Sequence, residues 1–531
     1  METTMLKTLL KTLTRAGALA LMAGHLELGM AVDGVDEDAG YANTDWPTYN
    51  NDYASQRYSA LKEIDTRNVA NLKEVCRIEL SDGGSLQSGP IVVDGTLFVT
   101  TALDTFAIDP TNCHQVWKHT RVPVAKMPFM VNRGVASAEG LIVRGTPDGH
   151  LIALDAKSGA VVWDHQITDP NYGEFASAAP LSWQGVIYMG IAGSDWGIRG
   201  RVIAIDARTG RELWRFNTIP RGQEEGASTW KLKDSTLIGG GGVWGAMSLD
   251  VREGELFVSV GNPAQDLLPN TRPGDNLFTD SLVVLDARTG KLKWWYQALK
   301  NDPWDYDLAS AAVLYQSKQG QRDLVAVAGK DGYLHGVDRM THKPIFKTAV
   351  TTQLKEAAAP TPAGVKSCPG YLGGSEWNGP AYVDSQHLLI VGTVDWCFTY
   401  TKGAPDYERG QLRYGGTAKP APVAEAKGWI TAVDADSGAV KWKRQTEAPV
   451  VAAVTPTAGG LTFAGDSAGN FLALDTGSGQ VLLSKKLDGA LGGGIITYAV
   501  KGKQYVAITT GNISRLTFGG AGNPSLVVWG L

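Results

Sequence analysis

Ala153-Leu-Asp-Ala-Lys-Ser-Gly-Ala-Val-Val-Trp163 is one copy of a unit that recurs along the chain. Other copies are Ala107-Ile-Asp-Pro-Thr-Asn-Cys-His-Gln-Val-Trp117, Ala204-Ile-Asp-Ala-Arg-Thr-Gly-Arg-Glu-Leu-Trp214 and Val284-Leu-Asp-Ala-Arg-Thr-Gly-Lys-Leu-Lys-Trp294. Ala432-Val-Asp-Ala-Asp-Ser-Gly-Ala-Val-Lys-Trp442 and Ala473-Leu-Asp-Thr-Gly-Ser-Gly-Gln-Val-Leu-Leu483 follow the same pattern, and Gly336-Val-Asp-Arg-Met-Thr-His-Lys-Pro-Ile-Phe346 is a degraded copy. In each, an apolar strand ends at Asp, whose side chain can bond the turn backbone. Gly then supplies a positive φ, and a second strand leaves towards Trp. Seven such hairpins mean a repeat architecture.

Successive Asp residues lie 46, 51, 80, 52, 96 and 41 positions apart. These spacings fit four-stranded blades, two of them carrying long insertions. A ring of blades hides its sheet edges, whereas an open stack needs capped ends. The last strands, Gln504-Tyr-Val-Ala-Ile and Ser525-Leu-Val-Val-Trp, can complete a blade with Val75-Cys-Arg-Ile-Glu-Leu80. The expected fold is therefore all-β: an eight-bladed β-propeller forming a single domain over 40–531, with the tryptophans packed between neighbouring sheets.

Of the 531 residues, 43% are hydrophobic and 19% charged, as in a soluble globular protein; 64 glycines and 16 tryptophans suit tight turns between aromatic-packed strands. A net charge of −5 and the lack of a basic stripe give no reason to expect a nucleic-acid partner. Lys7, Lys11 and Arg15 precede the short apolar run Ala16-Gly-Ala-Leu-Ala-Leu-Met-Ala-Gly24, so 1–35 reads as a signal peptide cleaved around 30–40. No later segment is long and apolar enough to span a membrane, and the expected location is the periplasm. In an exported chain the four cysteines, Cys76, Cys113, Cys368 and Cys397, suggest two disulfides, for which three pairings exist.

Chemistry-bearing residues concentrate between Gly239 and Asp307. The run Gly239-Gly-Gly-Gly-Val-Trp-Gly245 lets backbone approach something flat, with Trp244 as a stacking floor. Asn262 offers a neutral oxygen after an apolar strand. Asp305 and Asp307, at i and i+2, point the same way on an extended segment. Carboxylate and amide oxygens of this kind suit a hard cation such as calcium. No Gly-x-Gly-x-x-Gly segment opens a helix after a strand, so NAD is not expected.

In these motifs the chain resembles the eight-bladed quinoproteins, the pyrroloquinoline quinone (PQQ)-dependent alcohol dehydrogenases. The repeat is similar to their tryptophan-docking motif, and Arg272-Pro-Gly-Asp-Asn-Leu, Trp304-Asp-Tyr-Asp and Gly502-Lys-Gln-Tyr-Val-Ala are the most specific matches. The resemblance implies an enzyme that oxidises a small-molecule alcohol with PQQ and a metal ion, passing electrons to a separate acceptor such as a c-type cytochrome, since no CxxCH is present. It implies Asp305 as the catalytic base, and Gln87, Arg133, Ser177, Trp244, Lys330 and Trp377 around PQQ. Asp195, Asn262, Asp305 and Asp307 are the implied metal set. Cys368 and Cys397 fall where related enzymes have a disulfide, leaving Cys76 with Cys113.

Three departures stand out. Asp195 and Gln87 replace glutamates of the methanol dehydrogenase type, and Met127-Pro128 occupies the place of an adjacent-cysteine ring. Asp307 resembles an additional carboxylate of lanthanide-dependent members; the expected ion is calcium, with a lanthanide as the alternative. Two other readings remain open: the same fold acting on a sugar, polyol or polymeric alcohol, and a non-catalytic propeller scaffold.

Overall fold

The computed structural model describes residues 44–80, 84–231, 239–319, 321–514, 518 and 522–531. The signal-peptide segment lies outside them. Among the described residues, the helical elements are three-residue 3-10 turns and everything else regular is strand.

Among the described residues, eight four-stranded antiparallel sheets follow one another around a ring. The second is typical: Ile91–Val93, Thr96–Thr100, Asp104–Ile108 and Gln115–Thr120 pair in chain order. The first strand, Lys73–Glu79, pairs with the last, Ser525–Gly530, in register Arg77↔Val527 and Glu79↔Ser525. Lys503–Thr510 and Ile495–Val500 complete that sheet. The two ends of the chain thus close the ring, as the sequence reading expects. No central edge is left unpaired there to invite another chain.

The repeat works as a lock between blades. The turn aspartate accepts from the residue that follows it by three: Asp155 Oδ1 takes the N–H (2.8 Å) and hydroxyl (2.7 Å) of Ser158, and Asp206 does the same with Thr209. The outer strands are the most exposed of each blade; in Val161–Gln166 only Trp163 is buried. That indole donates to a carbonyl in the next blade's turn: Trp117 to Ala156 (3.0 Å), Trp163 to Ala207 (2.9 Å), Trp214 to Ala287 (3.0 Å) and Trp442 to Thr476 (3.0 Å). Its ring also covers the next turn's glycine. A Cβ on Gly290, whose φ is 70°, would lie 2.5 Å from the Trp214 ring. The glycine is therefore required twice, by its dihedral and by the indole face above it. In the degraded copy His342 takes the left-handed position (φ 57°) and stacks on Trp294, with ring centroids 4.6 Å apart and planes 8° from parallel.

Near the axis, the Tyr49 ring packs against Ala179, Ala246 and Ala311 and leaves no room for a side chain at Gly89. Each of these small residues precedes the innermost strand of its blade. The Tyr49 hydroxyl and Arg57 both donate to Asn378 Oδ1, which ties residues 49–57 to the loop before the seventh blade.

The long insertion before Asp434 holds structure of its own. Leu354–Lys355, Val365–Cys368, Phe398–Lys402 and Gly416–Pro420 form a ninth four-stranded sheet, interleaved with the seventh blade. The Cys368–Cys397 disulfide ties it down, and Cys76–Cys113 ties the closing blade to the turn of the next. Both pairings are those the resemblance implies.

Two glycine substitutions test the lock. Gly290→Ala is expected to cost about 2–4 kcal/mol, combining left-handed strain with overpacking against Trp214. Gly502→Ala (φ 78°) meets nothing within 4 Å and should cost only about 1–2 kcal/mol, from strain alone. Urea melts of both variants measure the difference; equal costs would remove the role given to the indole face.

Candidate functional site

A cavity of about 380 Å³ brings together residues from most of the chain. Gln87, Arg133, Ser177, Asp195, Trp244, Asp305, Asp307, Lys330 and Trp377, all singled out in the sequence, line it. Asn262 lies behind them, 1% exposed. Pro128, of the Met127-Pro128 departure, is also in the wall, and Tyr371, Leu372, Leu412 and Tyr414 come from the insertion that carries the ninth sheet.

The glycine run has a different use from the one expected. Gly240 bridges Arg199 on one side and Pro263 on the other. A Cβ there would stand 2.5 Å from the Asn262 carbonyl, and one on Gly239 would stand 2.0 Å from the Ile198 carbonyl. What these glycines approach is neighbouring backbone. They let the loops carrying Asp195 and Asn262 pack side by side, with Trp244 emerging beyond them.

Arg272 explains much of the Arg-Pro-Gly-Asp-Asn motif. Its fully buried guanidinium donates to the carbonyls of Gln265 (3.3 Å), Asp266 (3.0 Å) and Asp302, and to Asn276 Oδ1 (2.9 Å). It staples the loop after Asn262 to the Asp302–Asp307 loop. Asp302 in turn accepts from the N–H groups of Trp304 (3.0 Å) and Tyr306 (2.7 Å). That tight turn holds Asp305 in the left-handed region, at φ 61°.

The staple creates a cluster: ligand oxygens of Asp195, Asp266 and Asp305 lie within 4.8 Å of one another. Asp266 was not among the sequence candidates. Asn262 Nδ2 donates to Asp266, while Asn262 Oδ1 and Asp266 Oδ2 are buried without a hydrogen-bond partner. Burial, then the charge of Asp307, pushes the Asp195 carboxyl up to about 6. Burial, with Asp195 next, raises Asp266 well above the usual carboxylate range, and the same two causes followed by Asp266 itself raise Asp305. Carboxylates that repel each other in this way are stabilised by a multivalent cation.

Asp307 stands apart from that cluster. Its Oδ2 pairs with Lys330 Nζ at 2.6 Å, and its Oδ1 accepts from the Asn262 N–H (3.0 Å) and from Trp244 Nε1 (3.2 Å). Burial opposes the Lys330 charge, but Asp307, Glu376 and Asp305 outweigh it and hold the ammonium above its ordinary value. Lys330 sits 5.1 Å from the centroid of the Trp244 ring.

On the other side, Arg133 lies between two indoles, 4.6 Å from the Trp244 centroid and 5.0 Å from that of Trp377. It donates to Ser177 Oγ (2.9 Å) and the Trp244 carbonyl (3.0 Å), and its Nε is buried without a partner. Burial pulls its pKa down to about 10. Glu376, beside Trp377, also faces the cavity and was missed as a site residue. Its Oε1 is orphaned, and burial pushes its carboxyl up to about 7. Gln87 bonds the Ile513 carbonyl through Nε2 and leaves Oε1 orphaned. The cavity thus has an indole floor, two cations, and orphaned polar atoms around the wall. This set fits a flat, anionic, polar molecule beside a hard cation.

The protein family described as PQQ, "Glucose/ethanol/alcohol dehydrogenase, beta-propeller domain", matches residues 46–361 and 431–506. The gap between the two stretches holds three of the ninth sheet's four strands. The chain is 29% identical to the quinohemoprotein alcohol dehydrogenase ADH IIB of Pseudomonas putida, covering 94% of this chain and 79% of that one. It is 30% identical to the lanthanide-dependent methanol dehydrogenase of Methylacidiphilum fumariolicum, covering 88% and 84%. Among solved structures, a europium-containing methanol dehydrogenase superposes with a TM-score of 0.84 at 26% identity, over 92% of this chain and 98% of that one. Family match, fold and site chemistry agree: this chain belongs to the PQQ-dependent alcohol dehydrogenase family of β-propeller proteins.

Proposed function

We propose that the cavity over Trp244 holds PQQ, that Asp195, Asn262, Asp266 and Asp305 hold the metal ion beside it, and that Asp305 is the base for alcohol oxidation. The observation that carries this reading is the convergence on one cavity of an indole floor, two buried cations, and Asp195 and Asp305 of the three-carboxylate cluster. Bound there, PQQ supplies a two-electron acceptor and the ion a Lewis acid.

The chain's own residues do the rest. The Trp244 face supports a planar ring, and Arg133, steadied by Ser177 and the Trp244 carbonyl, meets an anionic edge. Lys330, kept charged by Asp307, lies over the same indole and can stabilise negative charge on a ring oxygen. Asp305 faces the cavity and takes the proton of the substrate hydroxyl at its carboxylate. Tyr371, Leu372, Leu412 and Tyr414 shape the space left for substrate and exclude water.

Electrons then pass to a separate carrier, such as a c-type cytochrome; all four cysteines are in disulfides. Two disulfides also favour an oxidising compartment, the periplasm. Among the described residues, no helix is long and apolar enough to cross a membrane.

The full chain, given PQQ and a metal ion, is expected to reduce an artificial dye at the expense of an alcohol, and NAD should have no effect. Asp305→Asn should lower kcat by about 10²–10⁴-fold while PQQ stays bound. Trp244→Ala should mainly weaken PQQ retention. Near-normal turnover in Asp305→Asn would exclude Asp305 as the base.

Glu376 gives a pH prediction for the cofactor-free chain. Its folded pKa of about 7 lies above the ordinary 4.5, so the folded state holds its proton longer than the unfolded state does. Stability from this group is present below pH 4.5 and is lost as pH rises through 7, by about 3 kcal/mol in all. Glu376→Gln should therefore melt close to wild type at pH 5 and above it at pH 8. A lower melt at pH 8 would contradict the assignment.

A further inference from the structure

We propose that a second cavity, between the insertion that carries the ninth sheet and the blade loops behind Asp195, binds a small organic dianion, either a phosphate monoester or a dicarboxylate. Its volume is about 390 Å³, within the range of small-molecule sites. Among the described residues it shares no lining residue with the cavity over Trp244. Two of its wall residues, Tyr407 and Arg409, fall between the two stretches that the family model matches.

Two close approaches build the wall. The Tyr407 ring lies against Gly197, where a Cβ would stand 2.3 Å from it, and the Tyr407 hydroxyl donates to the Gly197 carbonyl (3.3 Å). A Cβ on Gly410 would stand 2.4 Å from the Asn171 carbonyl. The segment carrying Tyr407 and Arg409 is thus seated on two blade loops. The Arg409 guanidinium sits 3.6 Å from the centroid of the Tyr172 ring, a stacking distance that covers its face and leaves its edge N–H groups to donate. Arg221 lines the same cavity, and its Nε is buried without a hydrogen-bond partner.

The charges at this cavity do not balance. Arg199, Arg221 and Arg409 all line it, and the nearby carboxylates are engaged elsewhere. Glu224 pairs with Arg199, and Glu174 accepts two hydrogen bonds from Arg201 (2.9 and 2.8 Å). Glu408 pairs with Arg413 (3.3 Å), and Asp406 accepts from Gln265 (2.9 Å). Among the described residues, Arg221 and Arg409 are left without a carboxylate partner. Burial, then the charge of Arg199, pulls Arg221 below its ordinary value, as expected for cations that crowd one another. Two unmatched guanidinium groups facing one small space are balanced by two negative charges on one molecule. Their planar, forked donors suit phosphate or carboxylate oxygens. Tyr172 and Tyr407 supply apolar surface for the carbon body that carries those charges. A monoanion leaves one guanidinium unmatched.

The test is calorimetric titration of the full chain with glycerol phosphate, malonate and acetate at matched ionic strength and about pH 8, where each dianion carries both charges. At least one of the two dianions is expected to bind, one per chain and about tenfold or more tighter than acetate; which of them does so names the ligand's chemistry. Arg221→Gln and Arg409→Gln should each weaken that binding about tenfold or more, by removing a charge-assisted donor. Arg133→Gln, in the cavity over Trp244, should leave it unchanged. Arg409 is exposed, so its variant decides the question even if Arg221→Gln fails to fold. A wild type that binds neither dianion, or holds acetate as tightly, overturns the proposal. So does a folded Arg221 or Arg409 variant that binds like wild type, or a loss confined to Arg133→Gln, which would place the anion over Trp244 instead.

Discussion

Each blade of this protein is held to the next by an indole lying on a glycine turn, and the site depends on that contact. In the outer strands Gln115–Thr120 and Val161–Gln166 the tryptophan is the one buried side chain, so little else fixes them in place. Because Trp117, Trp163 and Trp214 each bond a carbonyl one blade onward, the sheets take a repeated angular step. The pairing of Lys73–Glu79 with Ser525–Gly530 turns that step into a closed ring. A closed ring has one axis, and the loops leaving the blades can meet around it. Residues as far apart as Gln87 and Trp377 face one cavity for this reason.

Within that frame the loops bring together charges that would not gather unaided. Arg272 uses a buried guanidinium on backbone carbonyls, which fixes two acidic loops against each other without neutralising the carboxylates they carry. The glycines at 239 and 240 permit the third loop, with Asp195, to lie alongside. Strain at Asp305 and repulsion among Asp195, Asp266 and Asp305 are the cost in the empty chain. A cation bound between the three carboxylates would relieve that repulsion, at a site that costs the free protein stability.

The blade repeat was legible in the sequence because aspartate, glycine and tryptophan each answer a local demand: a turn acceptor, a positive φ and an apolar cover. The ring closure followed from strand patterns at the two ends. The cavity residues came from family resemblance more than from spacing, and Gln87, Arg133, Ser177, Lys330 and Trp377 line one cavity. Asp266 was not legible. It sits in Pro263-Ala-Gln-Asp266, which has no pattern of its own, and its position depends on Arg272, Asp302 and Asn276 together. Glu376 was hidden beside the more conspicuous Trp377. The ninth sheet escaped because its strands are short, two to five residues, and alternate weakly. The glycine run was noticed, but a sequence does not say whether backbone approaches a ligand or more backbone.

The central claim is that one cavity binds PQQ and a cation together, each stabilising the other. Its most direct measurement is equilibrium dialysis of the metal-free chain against PQQ, with and without added calcium or lanthanum. The account predicts one PQQ per chain, held at micromolar concentration or tighter when a cation is present and much more weakly when it is absent. Failure to bind PQQ under either condition, or binding indifferent to the cation, would contradict it.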